Sequence, residues 1–571
     1  MQRSLLNPPL LAKVLPMRFR TILGLPLCFL ALVSAITAAA PPKTPAPDIS
    51  AERLLENTRI LASDEYEGRA PGSHGEELTT EFLIRQFKRA GLQPGMPNGS
   101  WLQSVPIVGV KSEVQATIGL DHLTSPQDYV AWAPIQQLNT TIEESDLVFI
   151  GYGITAPEYG WNDFKDSDLF GKTVVILIND PPIPDPMDST KLDNNMFKGK
   201  AMTYYGRWTY KFEEAARHGA AAALIVHETV PAAYPWFVVV NSWGRERFDL
   251  ADNNARTVKL AAWISLDYTR KLFSRAGLSF ETLKQAAQRK DFQPVPMGLR
   301  ASFTAHNTIR TVESHNVVAK REGTDPKLKN EYIVYTAHWD HLGTNNTPEP
   351  GDHIFNGAAD NAIGAAGLVE LATAFASTNS TPKRAVLFAA VTAEDQGLLG
   401  SAYFCAHPPI SLSNILANLN MDGLNQWGRT RDIRVVGAGS STLEDTLTRI
   451  AEAQQRIVLP EAHPERGTFY RSDHFEFAKV GVPALYLKSG DNYRDKPPGY
   501  GEQRVNEYID RDYHKVSDEV RPDWDLSGAE EDLRLLYSIG LSVANDKKWP
   551  TWKPGAEFKK IRDSYVDPKK R

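Results

Sequence analysis

The sequence predicts an α/β fold of three layers, in which helices cover a mostly parallel central sheet and a β-rich module interrupts the chain. Three observations predict this fold. Between Ser314 and about Ala544, apolar runs alternate with helical patterns, and such runs are typical of strands buried on both faces. Residues 126–297 instead carry short β-rich runs with one clear helix. A length of 571 residues also exceeds one ordinary domain, so two domains are expected.

The first forty residues have the layout of a secretory signal peptide. Arg18 and Arg20 precede an apolar run at 21–35, and small residues follow it. We expect cleavage after Ala39 and a secreted or periplasmic mature protein. The alternative is an uncleaved membrane anchor, although the run is short for a span of about 20 residues.

The composition is that of a soluble globular protein, with 42% hydrophobic and 23% charged residues. A formal net charge of -6 gives no reason to expect nucleic acid or an anionic membrane surface as a partner. Cys28 falls inside the predicted signal, so the mature chain keeps only Cys405 and forms no intramolecular disulfide. Any bound metal must therefore be held by histidine and carboxylate side chains.

Local patterns predict the elements in chain order. Helical spacing covers 49–61 and 76–90, after a proline-rich spacer. In the middle region, the strongest patterns predict two strands, at 147–150 and 173–178. A helix is predicted at 211–218, and an apolar run follows it at 220–226. Towards the C-terminus, the sequence predicts four strands, at 332–336, 384–391, 415–419 and 482–487. A helix of small residues is predicted at 362–376, between the first two strands.

Residues able to bind a metal follow these strands or stand at a helix start. They are His338, Asp360, Asp395, Asp422 and, late in the chain, His514. In open α/β sheets, ligands bind beyond the carboxyl ends of the strands, so we expect these side chains to converge at one edge. No comparable cluster stands out in the middle region.

The predicted ligand set suits zinc, which accepts imidazole nitrogen and carboxylate oxygen. Two histidines and three carboxylates are too many for one tetrahedral ion. They suffice for two ions about 3.5–4 Å apart if one carboxylate bridges them. Neighbouring side chains of an extended chain point to opposite sides. Asp395 can therefore hold a metal while Glu394 faces the attacking water as general base.

An ordered series of motifs identifies a family resemblance. It comprises the segments 63–69, 337–343, 360–361, 393–401, 420–422 and 513–514. From about Ser63 to its end, the chain resembles the secreted dizinc exopeptidases that include bacterial leucyl aminopeptidase and glutamate carboxypeptidase II. The resemblance implies the zinc-peptidase fold and two Zn²⁺ ions.

The resemblance also implies a role for each ligand. His338 and Asp422 would bind one zinc ion, Asp395 and His514 would bind the other, and Asp360 would bridge them.

Two further residues acquire roles by resemblance, and one position departs from the family pattern. Asp340 would hydrogen-bond the imidazole of His338 and fix its tautomer. Tyr513 would stabilise the tetrahedral oxyanion. Many relatives have Glu-Glu where this chain has Glu394-Asp395, and the shorter aspartate could alter the affinity or identity of the second metal.

The middle region resembles the protease-associated domain through residues 211–216, Gly219 and the run to Val226. The expected organisation is a signal peptide at 1–39, a discontinuous zinc peptidase domain at 40–125 and 298–571, and the inserted domain at 126–297. By resemblance, the insert would cover the cleft and shape substrate access without doing chemistry.

Several other polar residues have plainer interpretations. We expect His341 and His353 to form surface or loop hydrogen bonds, and Asp518 to be a turn or cap residue. The consecutive residues 472–474, Ser-Asp-His, cannot form a catalytic triad by themselves. Arg471 either meets a substrate carboxylate or is an ordinary surface arginine.

The expected function is that of an aminopeptidase that hydrolyses peptides from the N-terminus. Three alternatives remain open: a carboxypeptidase of the glutamate carboxypeptidase type, a cyclase of N-terminal glutamine, and a non-catalytic receptor on the same fold, like the transferrin receptor. A membrane partner is expected only if the signal stays uncleaved. The sequence leaves the oligomeric state and the preferred side chain open.

Overall fold

A 16-stranded sheet forms the framework of the computed structural model. The structure describes residues 47–253, 257–345, 350–377 and 382–567, and the predicted signal peptide lies outside these ranges. All described residues belong to the same compact unit, Ala46–Arg571.

Four parallel strands form the centre of the sheet in its C-terminal region. In sheet order they are Ala385–Val391, Tyr332–His338, Ile415–Asn420 and Ala484–Ser489. Their burial on both faces explains why the sequence is apolar without alternation. Beyond them, Asp432–Val435 pairs antiparallel with the last of these strands, and Ile457–Pro460 adds a parallel edge.

Helices cover both faces of this part of the sheet. Ile333 and Tyr335 belong to one hydrophobic core and Val334 to another, because neighbouring side chains of a strand point to opposite faces. Five helices contribute to the larger core: Ala51–Leu61, His74–Arg89, Ile363–Ser377, Leu443–Ala453 and Ser527–Asn545. Two helices contribute to the smaller core: Leu399–Ala406 and His474–Lys479. The three layers confirm the predicted fold class.

Serine residues set the starts of the two N-terminal helices. The side chain of Ser50 accepts a hydrogen bond from the N–H of Arg53 at 3.3 Å. Ser73 does the same for the N–H of Glu76 at 3.4 Å. Each serine satisfies a backbone donor that the first helical turn leaves unpaired.

Two long antiparallel strands connect the C-terminal region to the middle of the chain. They are Leu102–Ile118 and Val295–Arg321, which pair along the whole length of the shorter strand. Residues 317–321 pair with Ala385–Val391, whereas residues 295–306 pair with Asn139–Phe149. The long strand Val295–Arg321 therefore runs without a break across residues 297 and 298, where the sequence places a domain boundary.

The middle region has its own strands, helices and cores. Its main strands are Tyr129–Trp132, Asn139–Phe149, Thr173–Leu177, Ala222–Val226, Arg247–Leu250 and Leu260–Ile264. Its helices are Trp208–Arg217, Thr229–Ala232, Trp236–Trp243, Leu266–Arg275 and Phe280–Ala286. Two hydrophobic cores are built mainly from buried residues of this region, and one of them also includes Ala116, Ile118, Ala301 and Phe303 of the two long strands. Helix Trp236–Trp243, called the docking helix below, ends beside the C-terminal region.

The remaining elements are short or peripheral. Two helices near the end of the chain are Tyr500–Arg511 and Lys559–Tyr565. The two-residue strands are Gln93–Pro94, Asp121–His122, Thr155–Ala156, Trp161–Asn162, Gly343–Thr344 and Ile354–Phe355.

Candidate metal centre

The five predicted ligands converge at the carboxyl ends of the central strands. His338 is the last residue of its strand, and it lies level with Val391 on the neighbouring strand. Asp395 follows that neighbour, Asp422 follows Ile415–Asn420, Asp360 lies in the turn Ala358–Ala362, and His514 follows helix Tyr500–Arg511. The parallel register thus delivers residues from separate chain segments to one edge.

Asp360 faces a different imidazole with each of its carboxylate oxygens. Its Oδ1 lies 3.3 Å from Nε2 of His338, and its Oδ2 lies 3.1 Å from Nε2 of His514. This is the position that a bridging carboxylate takes between two cations.

The other two aspartates complete a cluster on each side of Asp360. Asp422 Oδ1 lies 3.7 Å from Nε2 of His338, and Asp395 Oδ1 lies 3.3 Å from Nε2 of His514. Ligand atoms about 2.1 Å from a tetrahedral zinc ion lie about 3.4 Å from one another. Both Nε2 atoms are buried and have no hydrogen-bond partner among the described residues. The donor set and its spacing therefore fit zinc.

The electrostatics of the cluster favour positive charge. Burial disfavours the charged form of both imidazoles, but the surrounding carboxylates outweigh it. Glu394 and its neighbours raise the pKa of His338 well above its usual value, and Asp395 and Asp360 raise the pKa of His514 to about 9. Burial opposes ionisation of Asp360, yet its contacts with the two imidazoles lower its pKa well below the usual range. A bound cation would supply the charge that these carboxylates favour.

His341 lies in a loop and forms a hydrogen bond, as expected, but it is buried within the cluster and does not lie at the surface. Its side chain is fully buried, and Nδ1 lies 2.9 Å from Oδ2 of Asp395. Asp360, Asp395 and His341 also have ligand atoms close enough together to hold an ion. The main-chain N–H of His341 donates to the carbonyl of Arg69, and this contact helps to hold the residue in the interior. The only sequence signal was a second histidine three residues after His338.

Asp340 is placed differently from the sequence expectation. Its carboxylate Oδ1 lies 3.7 Å from Nδ1 of His338, which is longer than a hydrogen bond. The closer acceptor for this ring nitrogen is the main-chain carbonyl of Asp340, at 3.2 Å. The carboxylate instead accepts the N–H of Glu394 at 3.1 Å, because it extends towards the chain that follows the neighbouring strand. Asp340 thus contacts His338 through its backbone and Glu394 through its side chain.

Asp518 holds the turn that carries Asp360. Its two carboxylate oxygens accept the N–H groups of Ala359 and Asp360, at 3.0 and 3.1 Å. The hydroxyl of Tyr508 donates to the same carboxylate at 3.1 Å. This geometry agrees with the expectation of a capping residue.

Arg69 holds the loops beneath the cluster together by hydrogen bonds, a role that the sequence did not suggest. The guanidinium is almost fully buried and donates to four main-chain carbonyls, those of Leu61, Trp339, Asn356 and Gly357. Because the carbonyl of Trp339 follows His338 and those of Asn356 and Gly357 precede Asp360 in the chain, Arg69 fixes the backbone on which both ligands stand.

Glu394 lies at the boundary between the cluster and two cavities. Burial raises the pKa of its carboxyl well above the usual value. The charge of His338 opposes this shift, whereas the negative charges of Asp422 and Asp395 add to it. One cavity has a volume of about 290 Å³ and the other about 190 Å³, and Glu394, Asp395 and Tyr513 line both. A substrate in either cavity would reach these side chains.

Tyr513 and Arg471 form a pair beside the cluster. Nη2 of Arg471 donates to the phenol oxygen of Tyr513 at 2.9 Å, and both residues line the two cavities. Burial raises the pKa of the Tyr513 phenol, so its proton stays available for donation. Arg471 is therefore not an ordinary surface arginine.

The residues after Arg471 do not form a triad. The Asn420 amide donates to Ser472 at 2.7 Å, and Ser401 donates to Asp473 at 2.6 Å. Both ring nitrogens of the buried His474 have no hydrogen-bond partner among the described residues, and burial lowers its pKa to about 3. An imidazole in this state does not act as a base near neutral pH.

Comparisons with known proteins agree with the fold and with a zinc-dependent peptidase. Residues 316–537 match Peptidase family M28. A probable zinc metalloprotease of Pyrenophora teres f. teres is 30% identical over 149 residues, which are 26% of this chain and 30% of that protein. A vacuolar membrane protease of Clavispora lusitaniae is 28% identical over 127 residues, 22% of this chain and 11% of that protein. The chain thus matches less than a third of the length of these curated relatives.

Solved structures extend the likeness over most of the chain. The aminopeptidase from Aneurinibacillus sp. strain AM-1 superposes with a TM-score of 0.51 at 19% identity, covering 89% of this chain and 95% of that one. A zinc aminopeptidase from Bacillus subtilis gives a TM-score of 0.47 at 16% identity, covering 90% and 97%. The first likeness supports the fold. Within the described part of the chain, none of the helices has the length and apolar character of a membrane span.

Proposed function

We propose that this chain, a metallopeptidase of Peptidase family M28 by its match over residues 316–537, is an aminopeptidase that uses two zinc ions. The observation that carries the proposal is the placement of Asp360, whose two oxygens face the Nε2 atoms of His338 and His514. One ion would be held by His338, Asp360 and Asp422. The other would be held by His514, Asp360 and Asp395.

The proposed reaction is hydrolysis of the terminal peptide bond. When bound, zinc acts as a Lewis acid that polarises the scissile carbonyl and lowers the pKa of water. Glu394 accepts the proton of the attacking water and transfers it to the leaving amine. Burial raises the pKa of its carboxyl, which suits a group that both takes and returns a proton.

Tyr513 would stabilise the oxyanion that develops on the scissile carbonyl. Its phenol keeps its proton, and the hydrogen bond from Arg471 fixes the orientation of the ring. Donors that are oriented before the reaction stabilise developing charge most effectively, because they need no reorganisation. Arg471 therefore acts through Tyr513 in this proposal.

The choice of the N-terminus as the point of attack follows the description of the Aneurinibacillus structure, which is that of an aminopeptidase. A different observation favours a second candidate, a carboxypeptidase. Arg207 and Arg471 both line the cavity of about 190 Å³ beside Glu394, and Nε of Arg207 has no hydrogen-bond partner among the described residues. Two guanidinium groups in one cavity would attract the carboxylate of a peptide C-terminus.

The predicted roles of the other regions belong to the same proposal. Residues 126–297 would form an inserted domain of the protease-associated type, and the separate hydrophobic cores of this region support that division. The signal-like N-terminus supports export to the periplasm or the medium. The substrates would be peptides that enter the two cavities.

The test compares the substrates directly. Purified protein would be treated with chelator, reloaded with measured amounts of zinc, and assayed on aminoacyl-anilides and on N-acetylated peptides with free C-termini. Release from free N-termini that returns with two equivalents of zinc would support the aminopeptidase. Hydrolysis confined to N-acetylated peptides would support the carboxypeptidase, and zinc binding without hydrolysis of either substrate would refute both.

The variant Glu394→Gln isolates the general base. We expect kcat to fall by about 10²- to 10⁴-fold, since a positioned general base contributes that much, with two zinc ions still bound. Glu214→Gln is the matched control, because Glu214 is also a buried glutamate but pairs with Arg217 in the middle region. Wild-type kcat in Glu394→Gln would exclude this residue as the base.

A further inference from the structure

The docking helix touches a metal ligand directly. Oγ of Ser242 lies 2.7 Å from Nδ1 of His514. The side-chain amide of the preceding Asn241 donates to the main-chain carbonyl of His514 at 2.9 Å. Ser242 is buried and stands 272 positions before the histidine in the chain. The side chain and the backbone of one ligand are therefore both held from the middle region.

The contact fixes the tautomer of His514. Its Nε2 faces Asp360 and Asp395 at 3.1 and 3.3 Å, so this nitrogen is the one available to a metal. A neutral imidazole that ligates through Nε2 carries its proton on Nδ1. The Nδ1–H then donates to the Ser242 hydroxyl, which holds the ring in its ligating orientation.

Arg247 extends the link to a second ligand. Its guanidinium donates to the main-chain carbonyls of Ser242, Asp395 and Gln396, at 3.2, 3.4 and 2.9 Å. Arg247 is buried. One side chain of the middle region therefore joins the end of the docking helix to the backbone that carries Asp395.

The docking helix is itself held firmly by the middle region. Val238, Val239 and Trp243 belong to one of its hydrophobic cores. The ring of Trp243 packs edge-on against Trp132, with centroids 4.3 Å apart. Since buried side chains interdigitate tightly, the position of Ser242 depends on the packing of the middle region.

The imidazole of His338 is oriented by its own region instead. Nδ1 of His338 lies 3.2 Å from the carbonyl of Asp340, two residues further along the same loop. The tautomer of His338 is thus set within the C-terminal region, whereas that of His514 is set from outside it.

We propose that Ser242 is a positioning residue for His514 and that the middle region thereby completes one of the two metal sites. The inference rests on the proposed function, because it presupposes that the cluster binds zinc. The resemblance to protease-associated domains implies only that the insert covers the cleft. Here it determines how tightly one ion is held.

The test measures the two zinc affinities separately. Metal-free full-length protein would be titrated with zinc against a chromophoric chelator, for the wild type and for Ser242→Ala. We expect the dissociation constant of one ion to rise by about 10- to 100-fold, as for other residues that orient a ligating histidine. The affinity for the ion held through His338 should stay unchanged. A general loss of structure would instead lower the affinity for both zinc ions.

Matched variants separate the hydroxyl from its steric bulk. Ser242→Thr keeps the hydroxyl, whereas Ser242→Val has nearly the same shape without it, so the threonine variant should bind the second ion more tightly than the valine variant. This pair decides the question if Ser242→Ala fails to fold. Ser145→Ala controls for the loss of a buried serine, because Ser145 donates to the carbonyl of Gly171 in the middle region.

Two results would overturn the inference, and they differ from failure of the proposed function. Wild-type affinities for both ions in Ser242→Ala would exclude the positioning role. Equal affinities in the threonine and valine variants would do the same. If the wild type itself bound no zinc, the proposed function would fail as well.

Discussion

The two sides of the metal cluster are built in different ways. On one side, His338 and Asp422 are oriented by their own region. The carbonyl of Asp340 lies next to the imidazole, and Tyr486 and Lys488 donate to the carbonyl of Asp422 at 2.8 and 2.7 Å. On the other side, His514 and Asp395 are held partly by Asn241, Ser242 and Arg247 of the middle region.

This difference teaches that strand-end geometry is sufficient for only one side of the cluster. The register of the parallel strands brings His338 and Asp422 together, and contacts outside the middle region hold them there. His514 follows a helix late in the chain, so no strand register determines its position. Contacts from another region supply the missing constraint.

The largest expected effect comes from a change that disrupts both sides at once. Asp360→Asn removes the negative charge that both imidazoles face. We expect both zinc ions to be held weakly and kcat/KM to fall by at least about 10³-fold, since metal ions supply several kcal/mol of transition-state stabilisation. The zinc content after dialysis measures the first effect, and the rate of peptide hydrolysis measures the second.

Asp352→Asn is the control, because Asp352 is an exposed aspartate of the preceding loop. Two tightly bound zinc ions in Asp360→Asn would show that the sides do not share this carboxylate.

A smaller effect should separate the two sides. His341→Gln removes the imidazole whose Nδ1 lies 2.9 Å from Asp395, and leaves the His338 side intact. We expect the affinity for one zinc ion to fall by about 10- to 100-fold, as when a partner of a metal ligand is lost. The same competition titration measures it, with His353→Gln as the control. An equal loss of affinity for both ions would mean that His341 serves the whole cluster.

The smallest effect should come from the surface of the junction between the regions. Lys200 Nζ lies 3.3 Å from Glu465 Oε2, and both side chains are partly exposed. Such pairs contribute about 0–1 kcal/mol. Lys200→Ala should therefore lower the free energy of unfolding by less than about 1 kcal/mol and leave both zinc affinities unchanged, as measured by denaturant unfolding and titration. Weaker binding of one ion would show that surface pairs, and not only buried contacts, align the docking helix.

Much of the fold could be predicted from local patterns. The strand predicted at 332–336 is observed at Tyr332–His338, and the one predicted at 415–419 is observed at Ile415–Asn420. These predictions succeed because a strand buried on both faces must be apolar throughout. The exact strand ends were less predictable, since they depend on where the hydrogen-bonded neighbours stop.

The candidate site was predictable only in part. His338, Asp360 and Asp422 follow strands or begin a helix, so their convergence follows from the parallel topology. A hydrogen bond of His341 was expected, but its burial was not, because nothing in its local sequence shows that its loop folds inwards. Asp340 contacts His338 through its main-chain carbonyl and not through its carboxylate. The path of the loop after the strand determines which of the two groups faces the imidazole.

The sequence by itself determined the fold class and nominated the five candidate ligands, because apolar runs and short motifs such as Asp360-Asn361 and Tyr513-His514 are local properties of the chain. Only the tertiary structure decided which groups orient those ligands. Ser242 and His514 are 272 positions apart, and their contact exists because the packing of the middle region places the docking helix against the last ligand. Contacts of this kind depend on how two packed regions meet, which no local pattern of residues encodes.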